Sequence, residues 1–299
     1  MTIRSKGPLA GFGWLTRGFS VGFRHPKPLL GGAGILVLAC LLPSLITLPM
    51  QFHTMLAGTQ PNPTTMVWIM AISFVFGLLI LPLYAGYLQM MDAAERGLPV
   101  RARDVFNPYR RGEAWRLIGY GLAMFVVYAV AMGLVVVATG SGIVTWYMQA
   151  LAAQTSHLPP PALPHGFGII ITLLLLMAVF IMGLYAISLG QVALSRRSVF
   201  GAIGDGLIGA LKNVLPLLVY VASATLAWIA LMIVFVIAAG LIVLLANFIS
   251  PWLALALVIP LYIALLLALF AMMFGVMYYL WRDVCGDDIA TNIPPLLAA

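Results

Sequence analysis

The sequence predicts an all-α integral membrane protein. Its six transmembrane helices are expected as three repeated hairpins, each preceded by an amphipathic helix on the cytoplasmic surface. Segregated charge, the length of the apolar spans and an internal repeat carry that prediction. All 15 Lys/Arg and all 8 Asp/Glu fall within residues 1–28, 92–116, 196–212 and 282–288. Between them lie three charge-free spans, Pro28–Met91, Leu117–Ser195 and Asn213–Trp281. Each is long enough for two crossings and a loop, because one crossing takes about 20 apolar residues. A chain that crosses twice between charged stretches returns all of them to one face. The excess of Lys/Arg marks that face as cytoplasmic, with both termini on it.

Composition agrees with the spans. A mean hydropathy of +1.09, with 63% hydrophobic and 8% charged residues, lies outside the range of soluble domains. No polar stretch is long enough for a separate soluble module, so residues 1–299 read as one polytopic membrane domain. The formal charge of +7 is no sign of nucleic-acid binding, because its cations flank the spans, where they set orientation and attract anionic lipid. Cys40 lies in an apolar span and Cys285 in the last charged stretch, so they are not expected to pair or to hold a metal. The first apolar run is too long for a signal-peptide core and reads as an uncleaved crossing.

The spans are expected at Leu29–Met50, Met66–Met91, Leu117 to about Ala138, Gly168–Leu194, Val214–Asn247 and Pro251–Trp281. Pro43, Pro49, Pro82 and Pro260 fall inside them and suggest kinks rather than breaks. The pairs Ala129/Gly133 and Ala186/Gly190 have the spacing that lets helix backbones approach. In the loop 141–167, Ile143–Ala153 carries Trp146 and Tyr147 as interfacial anchors. A proline run that should be extended polyproline-II follows at 158–164.

The repeat is read by shifting the N-terminus 188 positions. Phe12 then falls on Phe200, Leu15 on Ile203, Gly18 on Gly206, Phe19 on Leu207, Phe23 on Leu211, Arg24 on Lys212 and Pro28 on Pro216. The apolar members recur at i, i+3, i+7 and i+11, one face of a helix. A middle copy lies at a shift of 94, where Arg103-Asp104-Val105-Phe106 echoes Arg197-Ser198-Val199-Phe200. With a two-residue deletion, Trp115-Arg116 matches Phe23-Arg24. The repeat units are about 8–91, 103–194 and 197–281. Surface helices are expected over Pro8–Phe23, Asp104–Trp115 and Ser198–Leu211, with Asp104 and Ser198 as N-caps of the second and third.

Short motifs add a resemblance. Leu81-Pro82-Leu83-Tyr84-Ala85-Gly86, then Glu95-Arg96-Gly97, Asp104-Val105-Phe106 and Lys212-Asn213-Val214-Leu215-Pro216, resemble uncharacterised proteobacterial six-span inner-membrane proteins. These are similar to the membrane domain of some glycerophosphodiester phosphodiesterases. No stretch of this sequence matches the catalytic barrel, so the resemblance implies a multi-pass protein of the bacterial inner membrane and no phosphodiester chemistry.

Candidate sites are few. No ionisable residue falls inside a span, which argues against proton coupling, voltage sensing and intramembrane acid–base catalysis. Gln89, Ser188 and Gln191 are the polar span residues of note; they read either as interhelical hydrogen-bond partners or as polar lining of a cavity. The stretch Asp92–Arg116 is the densest in charge. It reads either as a solvated, topology-setting loop or as a site for anionic lipid or a partner protein, built by Arg110, Arg111 and Arg116 with Tyr109 and Trp115 at the interface. Asp283, Asp287 and Asp288 are expected to pair with these arginines. His53, His157 and His165 read as solvated loop residues, with no converging ligand set for a metal. No nucleophile elbow, phosphate loop or zinc signature is present, so no catalytic residue and no cofactor are expected.

The leading expectation is therefore a non-enzymatic scaffold or accessory subunit that engages membrane lipid, another membrane protein or a second copy of itself. The runner-up is a transporter or flippase-like carrier of a lipid or apolar solute without ion coupling. A cavity lined by Gln89, Ser188 and Gln191 would favour the carrier; a solid helix core with an aromatic outer face would favour the scaffold.

Overall fold

Long uninterrupted apolar runs have only one way to satisfy their backbone groups inside a bilayer, which is to form helices. The computed structural model describes residues 3–56, 62–140, 142–155, 159, 161–164, 166–247 and 250–286, and no strand occurs among them. The helices are α1 Ala10–Arg24, α2 Pro26–Leu56, α3 Pro63–Glu95, α4 Asn107–Arg110, α5 Ala114–Thr139 and α6 Gly142–Thr155. They continue with α7 Phe167–Ala193, α8 Val199–Lys212, α9 Val214–Asn247 and α10 Pro251–Cys285. A 3-10 turn, Ala102–Phe106, precedes α4. Six of the helices, α2, α3, α5, α7, α9 and α10, are long and apolar enough to cross a membrane.

Local chemistry fixes several ends. Asn62 caps α3 by accepting from the Thr64 N–H at 3.2 Å, with Pro63 in the first turn. Ser250 caps α10 in the same way, accepting from the Trp252 N–H at 3.3 Å. Ser198 is the expected N-cap of α8, accepting from the Gly201 N–H at 3.3 Å. Helices α2, α3 and α10 continue through their internal prolines.

Two expectations need correction. The middle surface helix does not run to Trp115: the 3-10 turn and the one-turn α4 stop at Arg110, and Gly112 takes φ +71° in the turn before α5. Pro108 and Gly112 are the residues that break it, one by its lost N–H and one by its left-handed backbone. Trp115 and Arg116 consequently lie in the first turn of a span. Asp104 is not an N-cap either; it stands three residues in and accepts from the Arg101 N–H at 2.8 Å.

Three spans, α3, α7 and α10, touch one another at the centre. Around them, α2 packs on α3 and α10, α5 on α7 and α3, and α9 on α10 and α7. The shorter elements lie against these spans: α1 on α10 and α9, the 3-10 turn and α4 on α3 and α2, and α8 on α7 and α5. The expected apolar stripe of α1 is divided. Leu15 and Gly18 are buried, whereas Phe12, Phe19 and Phe23 are exposed, and the buried face consists of Gly11, Trp14, Gly18, Val21 and Gly22. Small residues on that face let α1 press onto backbone: a Cβ on Gly18 would lie 2.6 Å from the Val276 nitrogen.

Burial is concentrated at one end of the bundle. The core is built from Ile80–Ala94 of α3, Gly183–Ala193 of α7 and Ala271–Cys285 of α10, all next to the charged stretches. The far ends are loosely covered. Nothing lies within 4 Å of a Cβ placed on Gly133 or Gly240, so Ala129/Gly133 makes no close helix contact there. Gly190, in contrast, is packed under the Trp281 ring, beside buried Ala186.

Candidate functional site

The charged stretches converge in one layer at the well-packed end, and ion pairs within and between its elements hold the layer. Arg17 of α1 pairs with Asp283 of α10, which also accepts from the Trp14 indole at 2.9 Å. Arg24 pairs with Glu95 of α3 at 3.4 Å, and the Tyr279 hydroxyl donates to the same carboxylate at 2.7 Å. Asp92 takes Arg96 at 2.9 Å and the Tyr278 hydroxyl at 3.2 Å. Glu113 takes Arg196 at 3.1 Å and the Gln89 amide at 3.2 Å. Asp205 takes Arg197 at 3.1 Å and the Gln191 amide at 3.0 Å. Each of these acids thus accepts from a cation and from a neutral donor. That arrangement satisfies more of its lone pairs than a cation alone would. Asp283 therefore serves Arg17 rather than the arginines of the 92–116 stretch; Asp287 and Asp288 lie outside the described residues.

Gln89, Ser188 and Gln191 belong to this layer and to the core beneath it. The Gln89 amide also donates to the Ala193 carbonyl at 3.0 Å, tying α3 to the end of α7. Fully buried Gln191 accepts from the Trp281 indole at 3.4 Å, tying α7 to α10. Fully buried Ser188 donates to the Leu184 carbonyl at 2.7 Å, and its oxygen is 2.7 Å from the Tyr120 hydroxyl of α5. These three residues are interhelical hydrogen-bond partners. Two apolar grooves of about 500 and 680 Å3 occur elsewhere, and neither is lined by any of the three.

The five rim residues separate into two roles. Arg116 turns inward and donates to the carbonyls of Val192 at 3.1 Å and Arg196 at 3.3 Å, which lie at the open end of α7. Arg110 and Arg111 are exposed and have no hydrogen-bond or ionic partner among the described residues. Trp115 is 81% exposed, and Tyr109 is exposed at one edge while its hydroxyl donates to the Leu79 carbonyl of α3. Burial of the Tyr109 phenol pushes its pKa up, so it stays a proton donor at neutral pH. Two exposed guanidinium groups without partners among the described residues thus stand near two exposed aromatic side chains.

One structural contact is not evident in the sequence. Buried Asn213, between α8 and α9, accepts from the Lys6 N–H at 2.8 Å and donates to the Arg4 carbonyl at 3.0 Å and the Gly209 carbonyl at 2.8 Å. The Arg4 N–H donates to the Val284 carbonyl at 3.0 Å. The segment before α1 is therefore clasped between the start of α9 and the end of α10. The only signal in the sequence was one Asn at a helix junction, too short a cue to identify a partner some 207 residues away.

Among the described residues, no group of three or more His, Cys, Asp or Glu is placed to hold a metal. His157 and His165 lie outside the described residues, as does the side chain of His53. No protein-family model, curated protein or solved structure matches this chain, so the motif resemblance rests on its short segments alone.

Proposed function

We propose that this chain is a non-enzymatic, multi-pass protein of the bacterial inner membrane that acts as a scaffold or accessory subunit and engages anionic lipid at its cytoplasmic rim. The observation that carries the reading is the contrast within its arginines. Five cations are used up in ion pairs with acids, while Arg110 and Arg111 stay exposed and unpaired beside Tyr109 and Trp115. Exposed cations close to a membrane surface attract anionic headgroups at about 1 kcal/mol each. The packed position of Gln89, Ser188 and Gln191 supports a scaffold over a carrier, because their hydrogen bonds hold helices together and only the buried Gln89 carbonyl oxygen among them is left without a partner.

The reading includes a threefold repeat of surface segment and hairpin. The neighbour relations support it, since each first span packs on its own second span and on the second span of the preceding unit. Thus α5 lies on α3, α9 on α7 and, closing the ring, α2 on α10. Each surface segment likewise lies on the preceding hairpin, with α1 on the last. Phe12, Phe106 and Phe200, spaced by 94 residues, are all exposed at matching places and would anchor the rim in the interface.

The test is the variant pair Arg110→Gln and Arg111→Gln, combined and read by native mass spectrometry from bilayers of mixed anionic and zwitterionic lipid. Loss of two cations should weaken anionic-lipid retention by about 2 kcal/mol, roughly 30-fold, with the fold unchanged. Unaltered retention would return this stretch to setting orientation only.

A further inference from the structure

We propose that the groove beneath α1 is a second, separate lipid site, which takes one acyl chain of an anionic phospholipid and holds its phosphate at Lys27. The groove has a volume of about 500 Å3, within the roughly 300–1,000 Å3 of ligand pockets. It runs between α9 and α10, with Ala238 and Ala268 among its walls, and Phe19 and Phe23 of α1 and Leu30 of α2 form its roof. Every lining residue is apolar, so the part of a ligand that enters must be hydrocarbon.

Charge and lining select the occupant. The groove is apolar along the roughly 15 Å from Leu261 to Ala271, which suits one extended acyl chain. At the charged end, Lys27 sits one turn from Leu30 on the same helix, exposed and with no partner among the described residues. Arg24 follows Phe23 but is already shared with Glu95, which leaves Lys27 as the free charge at the mouth. A headgroup there must be anionic to gain from it.

The second groove shows that the roof is a built feature. It lies between α5 and α7 under α8, with a volume of about 680 Å3, and its roof is Leu207 and Leu211. These are the residues that match Phe19 and Phe23 at the shift of 188. The same two helix positions thus roof a groove over two of the three hairpins. Lys212, next to Leu211 in the sequence, reaches the Ile3 carbonyl at 3.4 Å, so this groove should hold a chain with weaker headgroup preference.

The experiment uses the full chain in nanodiscs of equal phosphatidylglycerol and phosphatidylethanolamine, with bound lipids counted by native mass spectrometry. Ala268→Phe fills the first groove and should remove one tightly held lipid equivalent. Lys27→Gln, an exposed change that leaves packing alone, should lower the preference for phosphatidylglycerol at that equivalent roughly fivefold. If Ala268→Phe does not yield folded protein, Ala264→Leu narrows the same groove with a smaller side chain and should give the same loss. A full lipid count in a folded groove-filling variant would overturn the site, and an unchanged preference in Lys27→Gln would overturn the headgroup assignment. The Arg110→Gln/Arg111→Gln variant should leave this equivalent in place, so failure of the rim reading and failure of this one are separately visible.

Discussion

The two ends of the bundle are made of the same residue types and behave differently. At the charged end, α3, α7 and α10 interlock through fully buried side chains such as Leu88, Ile187 and Phe274, and side-chain hydrogen bonds or ion pairs tie α3, α7 and α10 to their neighbours. Toward the far end, Leu and Ile side chains such as Ile233, Ile237 and Leu241 of α9 and Leu255, Leu257 and Ile259 of α10 are exposed. At 34 residues, α9 is about 51 Å long, well beyond the roughly 30 Å of hydrocarbon, so the helix must tilt or protrude. Apolar sequence alone therefore does not build a core in a membrane, where lipid is as good a neighbour as Leu. What gathers the helices is small residues and polar partners, and both are concentrated at the charged end.

Truncation should separate the ends most. Leu88→Ala, in a side chain 1% exposed, should cost about 2–5 kcal/mol and lower the thermal midpoint in detergent. Leu241→Ala, 55% exposed, should cost little by the same assay. Equal losses would mean that the far end has a core too.

Enlarging a glycine should give the next largest difference. Gly18→Val drives a side chain into the α10 backbone and should cost about 1–3 kcal/mol, with α1 released to protease. Gly240→Ala meets nothing within 4 Å and should be neutral or stabilising by up to about 1 kcal/mol through helix propensity.

A smaller effect is expected from the clasp. Asn213→Ala leaves buried backbone groups of the N-terminal segment without partners, for about 1–3 kcal/mol. Limited proteolysis should then cut near residues 4–6 before any span is touched, and simultaneous loss of all spans would argue against a local latch. The smallest change belongs to Ser188→Ala, about 1 kcal/mol for the bond to Tyr120, readable as a thermal shift that Tyr120→Phe should largely reproduce.

How much of this was legible follows from which interactions are local. Charge segregation and hydropathy located six spans to within a few residues, because a span is decided by its own composition. Ser198 was legible as a cap for the same reason. The break in the middle surface helix is also written locally, in Pro108 and Gly112, although Trp115-Arg116 matches Phe23-Arg24 in type. The pairing of Arg17 with Asp283 was not legible, since it joins residues 266 positions apart and depends on how the N-terminal helix packs against the last span. The inward turn of Arg116 was equally hidden, because its acceptors are carbonyls, which every residue has. Ala129/Gly133 and Ala186/Gly190 show the limit of spacing rules: the patterns are identical, and only the pair at the charged end meets another helix.

The most direct test of the unequal ends is oxygen accessibility of nitroxide labels placed singly at Ile233, Val234, Val236 and Ile237, which together span a little under half of the circumference of α9. All four are exposed, Val234 at the groove beside α10 that Phe235 and Ala238 also line. The account predicts high, lipid-like accessibility at all four positions in reconstituted bilayers. A 3.6-residue oscillation that leaves Ile233 and Ile237 inaccessible would contradict it, because that is the signature of a helix packed in a continuous core.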